Sequence, residues 1–361
     1  MKALALIESP NHVCYRYRIE AFAWALARRG IMLEALPMDH GLVHRMRCLA
    51  AARRADVVIL QRKLLPFWQL RLLRRLAPRL IYDVDDSLFQ RDSYSRKGPD
   101  SWARLMGFWA TVYAADAVTV GNHFLKSRAD AYVDSRKVHV VPTCVDPIRY
   151  SLARHKRGPA TIRLAWIGQQ STLPSLNLAR EHLALANQRL PGLELRVICD
   201  HYPQLQGVSV TRRSWSSDTE TAELADTDIG INWLPDESWS RGKCGLKVLQ
   251  YMAAGLPVVA NPVGMNSEMI IHGQTGLLAS TPEEWAGAIE RLASNPKLRQ
   301  EMGRRGRRLV EERFGVERWA PRFARIVEQV ARFGSTEPTV EPMVEPSLEL
   351  VEEPSTTLAV H

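Results

Sequence analysis

One stretch, residues 228–264, restricts the fold more than any other: DIGINWLPDESWSRGKCGLKVLQYMAAGLPVVANPVG. Ile229, Ile231 and Trp233 recur at period two, as on a strand, and Pro235 ends the run in a polar loop. From about Gly245 the apolar spacing becomes helical, with Leu246, Leu249, Met252 and Ala253 on one stripe. Gly255 suits the left-handed residue that ends a helix, and Pro257 prevents continuation. Val258 to Ala260 is a short, wholly apolar run, the pattern of a strand buried on both faces. The stretch predicts a βαβ unit, and with it a parallel sheet.

Its chemistry lies in the loop ahead of the helix. Arg241, Lys243 and Lys247 bracket Gly242 and Gly245, where the N–H groups of a helix start have no intrahelical partner. Glycines let a ligand approach the backbone, and cations at a helix N-terminus favour a phosphate-like anion. A solvated basic loop on an ordinary αβ turn is the alternative.

The length of 361 residues predicts two domains with substantial cores. An apolar fraction of 46% with 24% charged residues is that of a globular protein, and no run approaches the ~18 apolar residues of a spanning helix. MKALALIESP reads as a first strand rather than a signal peptide. Five scattered cysteines without a CxxC pair argue against a disulfide framework or metal site and fit a reducing cytosol. The charge is uneven. Residues 1–150 carry 24 Lys/Arg against 14 Asp/Glu, residues 151–333 carry 24 against 19, and 334–361 carry six Glu and no Lys/Arg. A basic first half suits phosphate-bearing ligands, an anionic membrane surface or nucleic acid.

In chain order, residues 3–7 predict a buried strand, followed by a glycine-free loop with Tyr15, Arg16 and Arg18 and a helix from about Ile19 to Gly30. Residues 56–60 predict another strand. In the segment after it Leu65, Leu72, Leu73 and Leu76 alternate with Arg71, Arg74, Arg75 and Arg79, headed by Phe67 and Trp68. That pattern suits either an outer helix of an α/β layer or a helix lying on anionic lipid. The strand LIY then ends in Asp83, Asp85 and Asp86, at the strand end where open α/β sheets place ligands. His123 follows at a strand-to-helix turn, and residues 151–160, with Gly158 and Pro159, read as a hinge. A strand running into Gly168 opens the second half, where Gly168, Gln169, Ser171 and Thr172 offer backbone and hydroxyl donors. Thr281 with Glu284 forms a capping box, FGVERWAPRFARIVEQVARF predicts a terminal helix, and the Glu-Pro repeat from Gly334 predicts a disordered acidic tail.

The KCGLK and QYMAAGLPVV wording, the PTCVD that closes the first half, and the HGQTGLLA turn resemble the family 4 glycosyltransferases of the GT-B fold. The resemblance covers about 1–333 and is strongest over 228–276. It implies an α/β protein of two Rossmann-like domains facing across a cleft, 1–150 for the acceptor and 151–333 for the donor, with a terminal helix crossing back. It implies a retaining, metal-independent, hexosyltransferase-like enzyme of glycan or glycolipid biosynthesis. Sugar would pass from a nucleoside-diphosphate sugar to a glycan or lipid-linked acceptor hydroxyl. No cofactor, metal or nucleic acid is expected. The location is cytoplasmic, with peripheral contact at the inner, anionic face of a membrane.

Mapped onto this sequence, the resemblance puts Gly168, Gln169, Arg241, Gly242, Lys243, Gly245, Lys247 and Gln250 on the donor. It puts Tyr15, Arg16, Arg18 and His123 on the acceptor side, Asp85 or Asp86 as base or hydroxyl orienter, and Asp200, Arg212 and Trp215 beside the nucleobase. Two glutamates of the family, one on the donor sugar and one on the ribose, fall on Gly242 and Gln250 and are absent. Two rival readings follow: a non-catalytic nucleotide-binding or scaffold protein, and a haloacid-dehalogenase-like phosphatase built on Asp83 and Asp85. The latter lacks a second carboxylate cluster in the sequence.

Overall fold

The computed structural model describes residues 1–38 and 41–335, so most of the acidic tail lies outside the described residues. The first half runs β1 (Lys2–Ile7), α1 (Val13–Arg18), α2 (Ala23–Arg28), β2 (Met32–Pro37), α3 (Leu42–Ala51), β3 (Val57–Gln61) and α4 (Phe67–Leu76). It continues with β4 (Leu80–Val84), α5 (Trp102–Ala114), β5 (Ala117–Val120), α6 (His123–Asp130) and β6 (Val138–Val140). The second half opens with β7 (Arg163–Ile167), α7 (Leu173–Leu178), α8 (Arg180–Arg189), β8 (Glu194–Ile198), β9 (Ser209–Arg213) and α9 (Glu220–Ala225). Then come β10 (Ile229–Asn232), α10 (Ser238–Arg241), α11 (Leu246–Ala253), β11 (Val258–Ala260), α12 (Met265–Met269), β12 (Gly276–Leu278), α13 (Pro282–Ala293), α14 (Pro296–Leu309) and α15 (Val316–Phe333).

Each half is a six-stranded sheet, ordered β2-β1-β3-β4-β5-β6 and β12-β11-β10-β7-β8-β9, with every pairing parallel. Alternation along the strands builds one core on each face. Leu4 and Leu6 meet α3 to α6, whereas Ala3, Ala5 and Ile7 meet α2 and α15. In the second half Leu164 and Trp166 face α8 and α13, and Ala165 and Ile167 face α11. The terminal helix α15 crosses back as expected: Phe323 packs on Phe22 at 5.1 Å, and Val316 N–H donates to the Val145 carbonyl at 3.1 Å. The GT-B architecture anticipated from the sequence is therefore present.

The strand orders fix where a ligand can sit. Neighbouring crossovers run in opposite directions between β1 and β3 and between β7 and β10, leaving crevices outside the carboxyl ends of those strands. These two switch points face each other.

Some local expectations shift. The segment after β1 is not a loop: His12 caps a short helix at Val13, so Tyr15, Arg16 and Arg18 ride on α1, and the helix expected from Ile19 divides at a 3-10 turn over Glu20–Phe22. Trp233 lies just past β10, and on α4 Leu70 and Leu73 are buried while Leu72 and Leu76 are half-buried. All five cysteines are free. Among the described residues no helix is long and apolar enough to cross a membrane.

The second half depends on a close approach of α14 to the turn after α11. A Cβ on Gly303 would lie 1.9 Å from the Gly255 carbonyl, whereas one on Gly287 of α13 would meet nothing within 4 Å. Gly303→Ala is expected to cost about 1–3 kcal/mol by overpacking. Gly287→Ala is expected to gain about 0.5–1 kcal/mol by limiting the unfolded helix. Urea denaturation of both variants checks the pair.

Candidate functional site

Between the switch points lies a cavity of about 460 Å³. Its walls come from the segments after β1, β3, β4 and β6 in the first half and after β7, β8, β9, β10 and β11 in the second. The second-half wall is cationic. Gly245 stands ahead of α11 with φ +68, and a Cβ there would also strike Met269 Sδ at 2.7 Å, so only glycine fits without strain. In the first turn of the helix, Lys247 places its Nζ 4.0 Å from the Trp166 ring centroid and donates to Thr172 Oγ1 at 3.2 Å. Burial, reinforced by the neighbouring Lys243, pulls the Lys247 ammonium down to about 7. Lys243 stacks on Trp239 at 3.5 Å and pairs with Asp86 at 3.1 Å. Gly168 and Gln169 complete this side. Thr172 Oγ1 would sit 2.6 Å from a Cβ at Gly168 and accepts from the Gln169 N–H at 3.2 Å.

The first-half wall is built on strand ends. Arg62 follows β3 with φ +58, a left-handed conformation that costs an arginine roughly 1–2 kcal/mol. The contacts that hold it are to Asp85 at 2.6 Å and Asp86 at 3.2 Å. Burial pushes the Asp85 carboxyl up, but Arg62 and Arg18 outweigh it and leave the group below the usual carboxylate range. Arg18 lines the cavity yet is committed elsewhere. It forks onto Asp83 (Nε to Oδ2 3.0 Å, Nη2 to Oδ1 2.7 Å), which Thr119 Oγ1 also meets at 2.7 Å. These engagements remove the phosphatase constellation. Asp83 is sealed against a guanidinium, Asp85 and Asp86 are paired with Arg62 and Lys243, and none is a free nucleophile.

The halves touch directly at the donor loop. Ser87 Oγ donates to the Ser238 carbonyl at 3.2 Å, Asn122 Nδ2 to the carbonyls of Arg241 (3.3 Å) and Lys243 (3.2 Å), and Cys244 Sγ to the Asp85 carbonyl at 3.1 Å. A Cβ on Gly242 would lie 2.0 Å from Ser87 Oγ. That close packing gives the missing glutamate a physical reason: no side chain fits at 242. On the far wall Gln250 donates to Tyr17 Oη at 3.2 Å, Tyr17 to Glu220 Oε1 at 3.0 Å, and Trp215 Nε1 to Glu220 Oε2 at 2.9 Å. Four residues of both halves thus share one buried network.

Of the residues proposed from the sequence, the cavity gathers Asp85, Asp86, Gly168, Gln169, Lys243, Gly245, Lys247, Gln250, Arg18, Asp200 and Trp215. The others lie elsewhere. Arg241 turns outward to Asp236 at 2.9 Å, and Gly242 is packed away under Ser87. Tyr15 packs against the core on the α2 side, and Arg16 pairs with Glu220 at 2.9 Å beside a second recess of about 260 Å³. His123 is exposed at the start of α6, because Asn122 takes the capping and interface roles there. Arg212 is exposed over the Tyr202 ring at 5.5 Å. Sequence reasoning missed Arg62, Tyr17, Glu220 and Trp239. Arg62 was within reach, since it sits at a strand's carboxyl end as Asp85 does. Glu220 carried no local signal. Among the described residues no three His, Cys, Asp or Glu side chains are grouped to hold a metal ion.

Two Rossmann-like halves with a phosphate-suited helix start in the cleft between them define the GT-B class, and comparison with known proteins agrees. Residues 235–309 match the family model described as glycosyl transferases group 1. A D-inositol 3-phosphate glycosyltransferase of Pseudarthrobacter chlorophenolicus is 30% identical over 193 residues, 47% of this chain and 45% of that protein. Human alpha-1,3/1,6-mannosyltransferase ALG2 is 28% identical over 214 residues, 56% of this chain and 50% of that one. The chain spans about half the length of these curated relatives. The structure of Anabaena Alr3699/HepE in complex with UDP and glucose superposes with a TM-score of 0.67 at 15% identity, over 90% of this chain and 98% of that one. The chain is thus similar to group 1 glycosyltransferases and has the GT-B fold, as its 228–276 wording suggested.

Arg18→Met leaves the Asp83 carboxylate buried without its counter-charge, with an expected cost of about 3–5 kcal/mol. Arg18→Met with Asp83→Asn removes both charges and recovers most of that loss. Denaturant midpoints of the three variants against wild type check it.

Proposed function

We propose that the protein transfers a sugar from a nucleoside-diphosphate sugar to an acceptor hydroxyl in glycan or glycolipid biosynthesis. One observation carries the reading: Lys243, Lys247 and the start of α11 converge at the second-half switch point, opposite the carboxylates of the first half. Cations preorganised on aromatic faces stabilise the charge that develops on a departing diphosphate, so the chain's own lysines do the work a divalent ion does elsewhere. The UDP and glucose held by Alr3699/HepE and the glycosyltransferase names of the relatives support this direction.

The weakened basicity of Asp85 disfavours a free general base. It fits a retaining transfer, in which the leaving phosphate oxygen takes the acceptor proton and Asp85 or Asp86 orients the hydroxyl. Gln250 serves the ribose as donor and acceptor, with Asp200 and Trp215 toward the base. No cofactor or resident metal enters this scheme. The basic first half supports a glycan or lipid-linked acceptor, met at the inner face of a membrane rather than on nucleic acid.

Thermal unfolding with UDP, GDP, ADP, CDP and dTDP, each with and without Mg²⁺, tests the site. One diphosphate is expected to stabilise the protein without metal, by ~2.7 kcal/mol at about 100 times its Kd. Lys243→Ala with Lys247→Ala abolishes that response and turnover with it; silence of the wild type across the panel refutes the site.

The lowered Lys247 value adds a pH signature. The ammonium that attracts an anion predominates below about 7 and is lost as pH rises through it. At about pH 8 diphosphate binding is expected to take up nearly one proton, and affinity to fall as pH rises further. Lys247→Arg stays charged and loses the uptake. Calorimetry in two buffers of different ionisation enthalpy measures it.

A further inference from the structure

The second-half wall carries one atom that a bound diphosphate leaves unexplained. Asn232 ends β10 and lines the cavity, 4% exposed, and its Oδ1 is buried without a hydrogen-bond partner. Among the described residues that line the cavity, the only other buried side-chain atom left unpaired is Arg62 Nε, a donor on the opposite wall. Buried amide oxygens are nearly always paired, because an unmade bond forfeits the one the group had to water. An unpaired acceptor at the carboxyl end of a switch-point strand, beside a cavity, stands where a ligand completes it.

Three asparagines in series fix which atom is left over. Asn261, just past β11, grips Leu234 twice: its Oδ1 accepts the Leu234 N–H at 2.9 Å and its Nδ2 donates to the Leu234 carbonyl. Asn266, in the first turn of α12, donates its Nδ2 to the Asn261 carbonyl at 3.0 Å. A backbone carbonyl can only accept, so the Asn266 oxygen points the other way, and Asn232 meets it with its own Nδ2 at 2.8 Å. Turning the Asn232 amide over would set oxygen against oxygen. The free atom is therefore an acceptor, which an O–H or N–H completes and a phosphate oxygen does not. Neither lysine of the wall takes that place: Lys247 donates to Thr172 and Lys243 to Asp86.

We infer that Asn232 is a specificity-determining residue of the donor wall, its Oδ1 accepting from a hydroxyl or amide N–H of the sugar to be transferred. The inference rests on the transferase reading and adds the chemical group that the site selects. The glutamate that the family resemblance puts on the donor sugar falls on Gly242, where Ser87 leaves no room, so the sugar finds no acceptor there. A neutral oxygen suits this wall. A carboxylate beside Lys243 and Lys247 would cancel part of the field that favours the diphosphate, whereas an amide receives a hydroxyl and leaves that field intact. A site built to bond a hydroxyl rejects the analogue that lacks it, because its own buried group is then unpaired.

Calorimetric titration of the full-length chain tests it, with the stabilising nucleoside diphosphate and its glucose conjugate as probes, UDP and UDP-glucose where that base is uracil. In Asn232→Ala the nucleotide sugar is expected to lose about tenfold in affinity, while the diphosphate changes by less than about twofold. Wild type is titrated in parallel with conjugates lacking one sugar hydroxyl at a time. One of these is expected to bind about tenfold more weakly than the parent, a difference that Asn232→Ala no longer shows. The deoxy series needs no variant, so it decides even where the strand end tolerates no substitution. A wild type indifferent to every missing hydroxyl overturns the proposal, as does an Asn232→Ala that weakens diphosphate and nucleotide sugar alike, or neither. Each of those results leaves the transferase reading standing, whereas a wild type that binds neither probe removes both.

Discussion

A guanidinium and a carboxylate removed from water hold the first half in the shape that makes a cleft. Arg18 comes from the short helix after β1 and Asp83 from β4, so their fork ties that helix to the sheet. The pair is satisfied beyond its own two bonds, since Arg18 also donates to the Val141 carbonyl at 2.8 Å and Asp83 accepts from Thr119. Burying two charges is tolerable only under such full satisfaction. Because α1 is fixed there, Tyr17 and Arg16 one and two positions earlier are presented to Glu220 of the other half. The far wall of the cavity, with its contact to Glu220, thus rests on that one ion pair.

The sheets were legible in the sequence because parallel strands buried on both faces leave short apolar runs, as at 3–7, 56–60 and 258–260. The donor side was legible for a related reason. A glycine ahead of a helix and lysines around it are local features, and Gly245, Lys243 and Lys247 all line the cleft. What failed was direction. Arg241 and Lys243 are two residues apart in one loop, yet one turns to Asp236 and solvent and the other to Trp239 and the cavity. The difference arises from docking against Ser87 and Asn122, which lie more than a hundred positions away in the chain.

The acceptor side was less readable still. The first βα segment contains tyrosines and arginines in alternation, and periodicity did not reveal that His12 would cap a helix there. Once it does, Arg18 points inward, Arg16 faces the neighbouring recess and Tyr15 joins the core, so three residues of one short helix meet three environments. Glu220 illustrates a general limit. A lone glutamate at the start of a six-residue helix reads as surface, and only the approach of α1 and Gln250 makes it the buried hub of a network.

The bond from Lys243 to Asp86 bears on the order of events in the cleft. The lysine that would receive a phosphate already has a resident anion, supplied by the opposite half. On the proposed reading, arrival of a diphosphate would exchange one counter-ion for another and leave Asp86 Oδ2 to Arg62, at 3.2 Å. On that reading, donor before acceptor is the binding order such an exchange would favour.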